Sequence, residues 1–148
     1  MINFKAGEII AYRYWIACEK GVFSPHTCVG WRTDGEAMEN YNASGDHGIY
    51  AIKSLAEMHK WLSREDVIQS FRDNWWNGPF GFFKPLGLIT GKVRLWGHVE
   101  EHKTGYTSQY ARIVSLDEYM SGPEFKNWET SEVLDKMREI YKVLGTLR

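Results

Sequence analysis

Apolar and polar positions run together in some parts of the chain, alternate in others, and recur at helical spacing in a third set. Each pattern predicts its own element. Ile9 to Cys18 (IIAYRYWIAC) is dense in β-branched and aromatic residues and predicts a strand. Glu19-Lys20-Gly21 predicts a turn, and Val22-Phe23-Ser24 a short return strand stopped by Pro25. Thr27 to Arg32 predicts another short strand, closed by Thr33-Asp34-Gly35; Glu36 to Tyr41 predicts a single helical turn, and Asn42 to Asp46 a loop. Gly48 to Ile52 is a short apolar run of the kind found in buried strands.

Helical spacing begins at Leu55, Met58 and Leu62. Ser54 and Glu57 in front of them match a capping box, so the pattern predicts a helix from Leu55 to Leu62. A second helical piece is expected from Arg64 to Phe71 or beyond. Near the C-terminus, Thr130 or Ser131 caps a last helix over about residues 131–144. Its apolar stripe is Val133, Met137, Ile140 or Tyr141, and Leu144, with Gly145 at its end.

Strict alternation marks Leu88 to Val114, which predicts a β-hairpin at the centre of the fold. Val93, Leu95, Gly97 and Val99 fall on one face; Arg94, Trp96, His98, Glu100 and His102 fall on the other. A three-residue loop Lys103-Thr104-Gly105 with a left-handed Gly105 is a common connection. It pairs Val99 with Gln109, Gly97 with Ala111 and Leu95 with Ile113, which keeps the core face mostly apolar. The opposite face then carries the pairs His102/Tyr106, Glu100/Ser108, His98/Tyr110, Trp96/Arg112 and Arg94/Val114, with a cation–π contact expected between Trp96 and Arg112. A four-residue loop would instead set Tyr110 and Arg112 opposite Gly97 and Leu95. Ser115 to Glu118 reads as a second capping box and a short helix, broken at Ser121-Gly122-Pro123.

Between the helical pieces and the hairpin lies Trp75 to Pro85 (WWNGPFGFFKP). Trp75, Trp76, Phe80, Phe82 and Phe83 sit among glycines and prolines that oppose a regular helix or central strand. The stretch reads as a loop folded over the core with its aromatics as plugs, or as an exposed loop that meets a partner.

Composition narrows the function classes. The 148 residues suit one domain, 1–148, and 43% hydrophobic residues suffice for a core. The net charge of −1 argues against a nucleic-acid binder that relies on bulk positive charge. Two cysteines, Cys18 and Cys28, are too few for a disulfide scaffold. The absence of a signal-like segment or long apolar run predicts no membrane part and a cytoplasmic setting with reduced thiols.

The even hairpin face offers candidate chemistry: Arg94, Trp96, His98, Glu100, His102, Tyr106, Tyr110 and Arg112. In the plain reading these residues form a solvated sheet face. In the functional one they form a binding surface. His98 and His102 with Glu100 between them have metal-ligand types, but alternate strand residues stand about 6–7 Å apart, which suits one ion poorly. Cys28 near His26 lacks a glycine-rich elbow and reads as a buried thiol. Neither a P-loop nor a dinucleotide-binding glycine pattern is present, so no cofactor is implied. Arg13, Arg32, Arg94 and Arg112 with Trp15, Trp31, Trp96, Tyr106 and Tyr110 could form a small stacking surface.

Several strings combine into a larger pattern: Tyr12-Arg13-x-Trp15, Trp31, Gly48-Ile49-Tyr50-Ala51, and Gly91 to Tyr106 ending in Tyr110-Ala111. Together they resemble a family of small, largely uncharacterised bacterial and bacteriophage proteins, over about residues 9 to 116. Relatives often carry a cysteine where this chain has Asp46 and His47, and Arg-Ala-Glu where it has Thr107-Ser108-Gln109. The stretch from Arg64 to Leu86 is also long for the family. The resemblance implies a fold and a possible bacteriophage setting, and no activity.

The expected architecture is one α+β domain: a mainly antiparallel curved sheet of about five or six strands with a central and a C-terminal helix packed on it. The expected function is non-enzymatic binding of a protein partner through the hairpin face or the aromatic loop. A nucleotide or RNA on the Arg/aromatic face is the alternative. A weaker one is an enzyme with His98, Glu100 and Tyr110 as acid–base groups.

Overall fold

The aromatic run at Ile9–Cys18 is the strand against which the sheet assembles. The computed structural model describes residues 9–26, 30–32, 36–38 (backbone only), 48–79, 83–129 and 131–143. Its elements are β1 (Ile9–Cys18), β2 (Gly21–Phe23), β3 (Glu36–Met38), β4 (Ile49–Ile52), α1 (Leu55–Leu62), α2 (Glu65–Phe71), β5 (Pro85–Glu101), β6 (Gly105–Ser121) and α3 (Glu132–Tyr141). A π-helical turn, Arg72–Trp76, continues α2. The domain is α+β, with six strands in one antiparallel sheet among the described residues.

The sheet curls until it closes on itself. β1 pairs β5 along its whole length, from Ile9↔Leu95 to Cys18↔Pro85, and β5 pairs β6 as a long hairpin. β4 then bridges the two outer strands, pairing Ile52 with Tyr12 of β1 and Ile49–Ile52 with Ser108–Gly105 of β6. The ring is β1–β5–β6–β4. β2 and β3 extend it, on β1 at Ile16–Cys18 and on β6 at Tyr110–Arg112. Bulges tighten the curl: β6 carries extra residues at Val114 and Asp117, and β5 carries one at Gly97-His98.

Side chains divide between two cores. Inside the curl, Ala11, Trp15 and Ala17 meet Ile89, Val93, Leu95, Ala111, Ile113 and Leu116, and α3 packs on this cluster through Leu134, Met137 and Tyr141. The Tyr141 hydroxyl accepts from Val22 N–H at 2.8 Å and donates to the Trp31 carbonyl at 3.1 Å, which ties α3 to the β2 region. Outside the curl, Tyr14, Ile16, Cys18, Leu88 and Met120 are covered by Met58, Leu62, Val67, Ile68, Phe71 and Trp75. Ser54 caps α1 by accepting from Glu57 N–H at 3.1 Å, and Ser131 caps α3 by accepting from Leu134 N–H at 3.2 Å.

Several expectations are corrected. Glu36–Met38 is a strand, because β6 offers it a long-range partner that local propensity does not reveal. Ser115–Glu118 continues β6 to Ser121, since pairing with β5 outweighs the capping pattern. The hairpin register follows neither proposal along its full length: Val99 pairs Ser108, and beyond the bulge Trp96 pairs Tyr110 and Arg94 pairs Arg112. The left-handed glycine is Gly97, φ 81°, while Gly105 lies in the ladder against Ile52. α3 stops at Tyr141 on a left-handed Lys142, φ 53°, ahead of Gly145. The expected strand at Thr27–Arg32 shows only a bridge from Gly30 to Phe23, and its residues 27–29 lie outside the described residues. So do the loop at Asn42–Asp46, Cys28, Leu144 and Gly145.

Candidate functional site

Tyr12 and Ile16 mark the ends of a gap in the sheet. On the edge of β1 away from β5, Tyr12 pairs with β4 and Ile16 with β2, and no ladder pair lies between them among the described residues. Arg13 fills this gap. Its guanidinium donates to the Tyr50 carbonyl of β4 and to Ser24 Oγ, the latter at 2.8 Å, and lies 5.2 Å from the centre of the Trp31 ring. Trp31 Nε1 donates to the same Ser24 oxygen at 3.0 Å. Arg13 and Ser24 are both buried.

Above the gap opens a cavity of about 350 Å³. Among the described residues its walls are largely aromatic: Tyr12 and Tyr14 from β1, Tyr50 from β4 and Trp61 from α1, with Ile52 and Pro25 between them. Arg13, Ser24 and His26 supply polar groups, and Glu57, Thr104 and Gly48 complete the lining. The sequence places these residues together through a strand gap and one helix turn: Glu57 and Trp61 are four apart in α1 and project on one side.

A hydrogen-bonded chain crosses the cavity wall. Trp61 Nε1 donates to the Tyr14 hydroxyl at 2.9 Å, and that hydroxyl lies 3.2 Å from His26 Nε2. Burial raises the Tyr14 pKa above its ordinary value, against the lowering influence of Trp61 and Arg13. Burial, then the charge of Arg13, hold His26 below the ordinary histidine value of 6.5. At neutral pH Tyr14 therefore keeps its proton and His26 is neutral. Tyr14 and His26 share one hydrogen bond whose direction follows the His26 tautomer: either Tyr14 donates and His26 carries its proton on Nδ1, or His26 donates from Nε2 and the Tyr14 hydroxyl proton is left over. Arg64, outside the cavity lining, stands 4.7 Å from the Trp61 ring centre.

The hairpin residues singled out from sequence do not form one surface. Arg94 and Arg112 are cross-strand partners, and Trp96 pairs and stacks with Tyr110 at 5.7 Å and 20°, in place of the expected Trp96/Arg112 contact. Ile10 pairs Arg94, so Ile10, Arg94, Arg112, Trp96 and Tyr110 share the outer face. His98 sits half-buried in the bulge, its backbone N–H donating to Gln109 Oε1 at 3.3 Å. Glu100 is buried and His102 exposed; both meet Thr107 Oγ1, at 3.5 Å and 3.0 Å. Tyr106 packs against the inner core, with Lys53 5.5 Å from its ring. Among the described residues, no three His, Cys, Asp or Glu side chains are grouped to hold a metal ion. The imagined Arg/aromatic stacking surface loses Arg13, Trp15 and Trp31, all of which are buried.

The aromatic stretch at 75–83 serves the outer core where it is described. Trp75 is fully buried and donates its indole N–H to the Pro25 carbonyl at 2.8 Å, so it has no face to offer a partner. Trp76 packs edge-on to Phe125 at 5.1 Å, and Phe83 lies 4.7 Å from Phe23. Phe80 and Phe82 lie outside the described residues.

Sequence reasoning missed the cavity. One signal was available: an arginine in the middle of an apolar, aromatic strand must be buried with partners or sit at a site. No protein-family model, curated protein or solved structure matches this chain. No helix of the described residues is long and apolar enough to cross a membrane.

Proposed function

We propose that this chain is a small-molecule-binding protein, without enzymatic activity, whose recognition site is the cavity over the gap between β1 and β4. One observation carries the reading. Tyr50 and Trp61 are 42% and 37% exposed, and both line the same cavity, whose polar groups include the buried Arg13. Large aromatics held at the lip of a concave site with a few convergent polar groups are what small-ligand pockets present. A ring that slides between them would cover the exposed faces. Cys18, a buried thiol outside any disulfide, suits a reducing, cytoplasmic setting for this role.

The test is a thermal-shift screen of ring compounds against the wild-type chain, Trp61→Ala and Tyr50→Ala, after circular dichroism has checked that both variants fold. Compounds that raise the wild-type Tm and leave the variants unmoved support the site. Shifts of equal size in all three proteins place binding elsewhere, and no shift in any protein sinks the reading.

A second reading has its own observation. Ile10, 47% exposed, lies on the outer sheet face that carries the Trp96–Tyr110 stack, and Val114, 43% exposed, sits in the β6 bulge two residues beyond Arg112. Exposed apolar groups on this hairpin, together with its aromatic pair, favour a protein partner there, in line with the hairpin pattern. Affinity capture with wild type and a Trp96→Ala/Tyr110→Ala double variant tests it, with the eluate analysed for protein and RNA. A stoichiometric protein lost in the variant supports a protein partner, and recovered RNA favours the nucleic-acid alternative.

A further inference from the structure

A ligand site in the cavity leaves the ligand's own chemistry open. Resting on that reading of the cavity, we propose that it takes a small planar ring bearing a carboxylate, an aromatic acid of one or two rings.

Shape sets the ring. The volume of about 350 Å³ lies at the small end of ligand pockets, roughly 300–1,000 Å³, and the walls are Tyr12, Tyr14, Tyr50 and Trp61. Trp61 is held at its N–H by Tyr14 and has Arg64 beside its ring, so it is a pre-positioned stacking plate.

Hydrogen bonding sets the acid. Ser24 Oγ already accepts from Arg13 and from Trp31, so its remaining capacity is its own proton, which it can only donate. Tyr14 accepts from Trp61 and shares one hydrogen bond with the neutral His26, so one of the two protons of the Tyr14–His26 pair lies between them. The other proton is left as a donor, on His26 Nδ1 or on the Tyr14 hydroxyl according to the tautomer. Ser24 and the Tyr14–His26 pair thus each offer the cavity a donor, and their complement is an acceptor.

Charge agrees with this. Among the described lining residues Arg13 is the buried charge, and its charge lowers the pKa of His26. Glu57, the carboxylate among the described lining residues, is exposed on the first turn of α1, where water screens it. A buried cation outweighs an exposed anion at this range, so the site prefers a negative ligand.

The experiment is an isothermal titration series on the full chain with two matched sets of probes. One set is indole-3-acetate, indole-3-acetamide and tryptamine; the other is benzoate, benzamide and benzylamine. Within each set the ring is kept while the charge goes from negative through neutral to positive. The expected result is that the acid binds at least tenfold more tightly than its amide in one set, with the amine weakest. Amide NMR shifts should cluster at Tyr14, Tyr50 and Trp61. Ser24→Ala should narrow the acid–amide gap, and Glu57→Gln, on the exposed lip, should preserve or widen it. Equal binding of acid and amide, or preference for the amine, overturns the aromatic-acid assignment and leaves the cavity standing. Failure of all six probes to bind, or shifts confined to another face, overturns the cavity reading itself.

Discussion

Arg13 donates a guanidinium N–H to the backbone carbonyl of Tyr50 at the place where β1 and β4 part. Continuing the Tyr12↔Ile52 register by two residues would set Tyr14 opposite Tyr50, yet the strands splay and a side chain occupies the gap. The same guanidinium reaches Ser24 just beyond β2. One residue therefore ties both short strands to β1 and lines the cavity they leave.

Removing this tie should cost stability. Hydrogen bonds to charged groups contribute about 1.5–3 kcal/mol each, so Arg13→Met is expected to lower unfolding free energy by about 2–4 kcal/mol. Arg13→Lys keeps the charge but loses the planar fork that reaches two partners, and should fall between. Urea melts of the three proteins check the order; a Lys variant as stable as wild type would show that the fork is dispensable.

The pH dependence of stability carries a sign. His26 has a folded pKa below its unfolded value near 6.5, so the unfolded chain takes up the proton first as pH falls. This group therefore leaves stability untouched above 6.5 and reduces it as pH drops from 6.5 towards the folded value. His26→Gln should lose less stability than wild type between about pH 7 and pH 5. Denaturant melts at intervals across that range would show the two curves diverging on the acid side; parallel curves would contradict it.

Gly97 sits at φ 81° in the β5 bulge, and a Cβ there would stand 2.6 Å from the Tyr110 ring. Gly97→Ala is expected to destabilise by about 1–3 kcal/mol, through backbone strain and displacement of the Trp96–Tyr110 stack. Loss of near-ultraviolet dichroism from that stack is the accompanying sign.

Lys142 ends α3 in a left-handed conformation, φ 53°, with its N–H directed at the carbonyls of Arg138 and Glu139. Glycine takes that conformation without steric penalty. Lys142→Gly is expected to stabilise the fold by about 0.5–1 kcal/mol, readable as a higher midpoint in urea with an unchanged slope.

What could be read ahead of the structure was local. Ile9–Cys18 announces itself as a strand by composition, and Ser54 and Ser131 announce helix starts because a cap acts on its own next turn. Glu36–Met38 has no such mark; it is a strand only because residues 110–112 lie alongside. The hairpin was legible, but its register depended on which glycine turned left-handed, and bulges keep no simple two-residue count. The cavity was out of reach for a related reason. Its lining comes from 12–14, 24–26, 48–52, 57–61 and Thr104, brought together by the closure of the sheet, and no one segment carries its pattern.

Ring closure also governs how the molecule meets copies of itself. β1 covers the outer edge of β5 from Pro85 to Leu95, and β4 and β3 cover the outer edge of β6 at residues 105–108 and 110–112, so over these residues the hairpin has no open edge for another chain to extend. β4 guards that edge at Gly105, where a Cβ would stand 2.3 Å from the Ala51 carbonyl oxygen. Gly105→Ala should push β4 away and uncover residues 105–108 as a template. Light scattering of the concentrated variant should then rise with time while wild type stays clear, which would make this short strand a guard against aggregation over that stretch of β6.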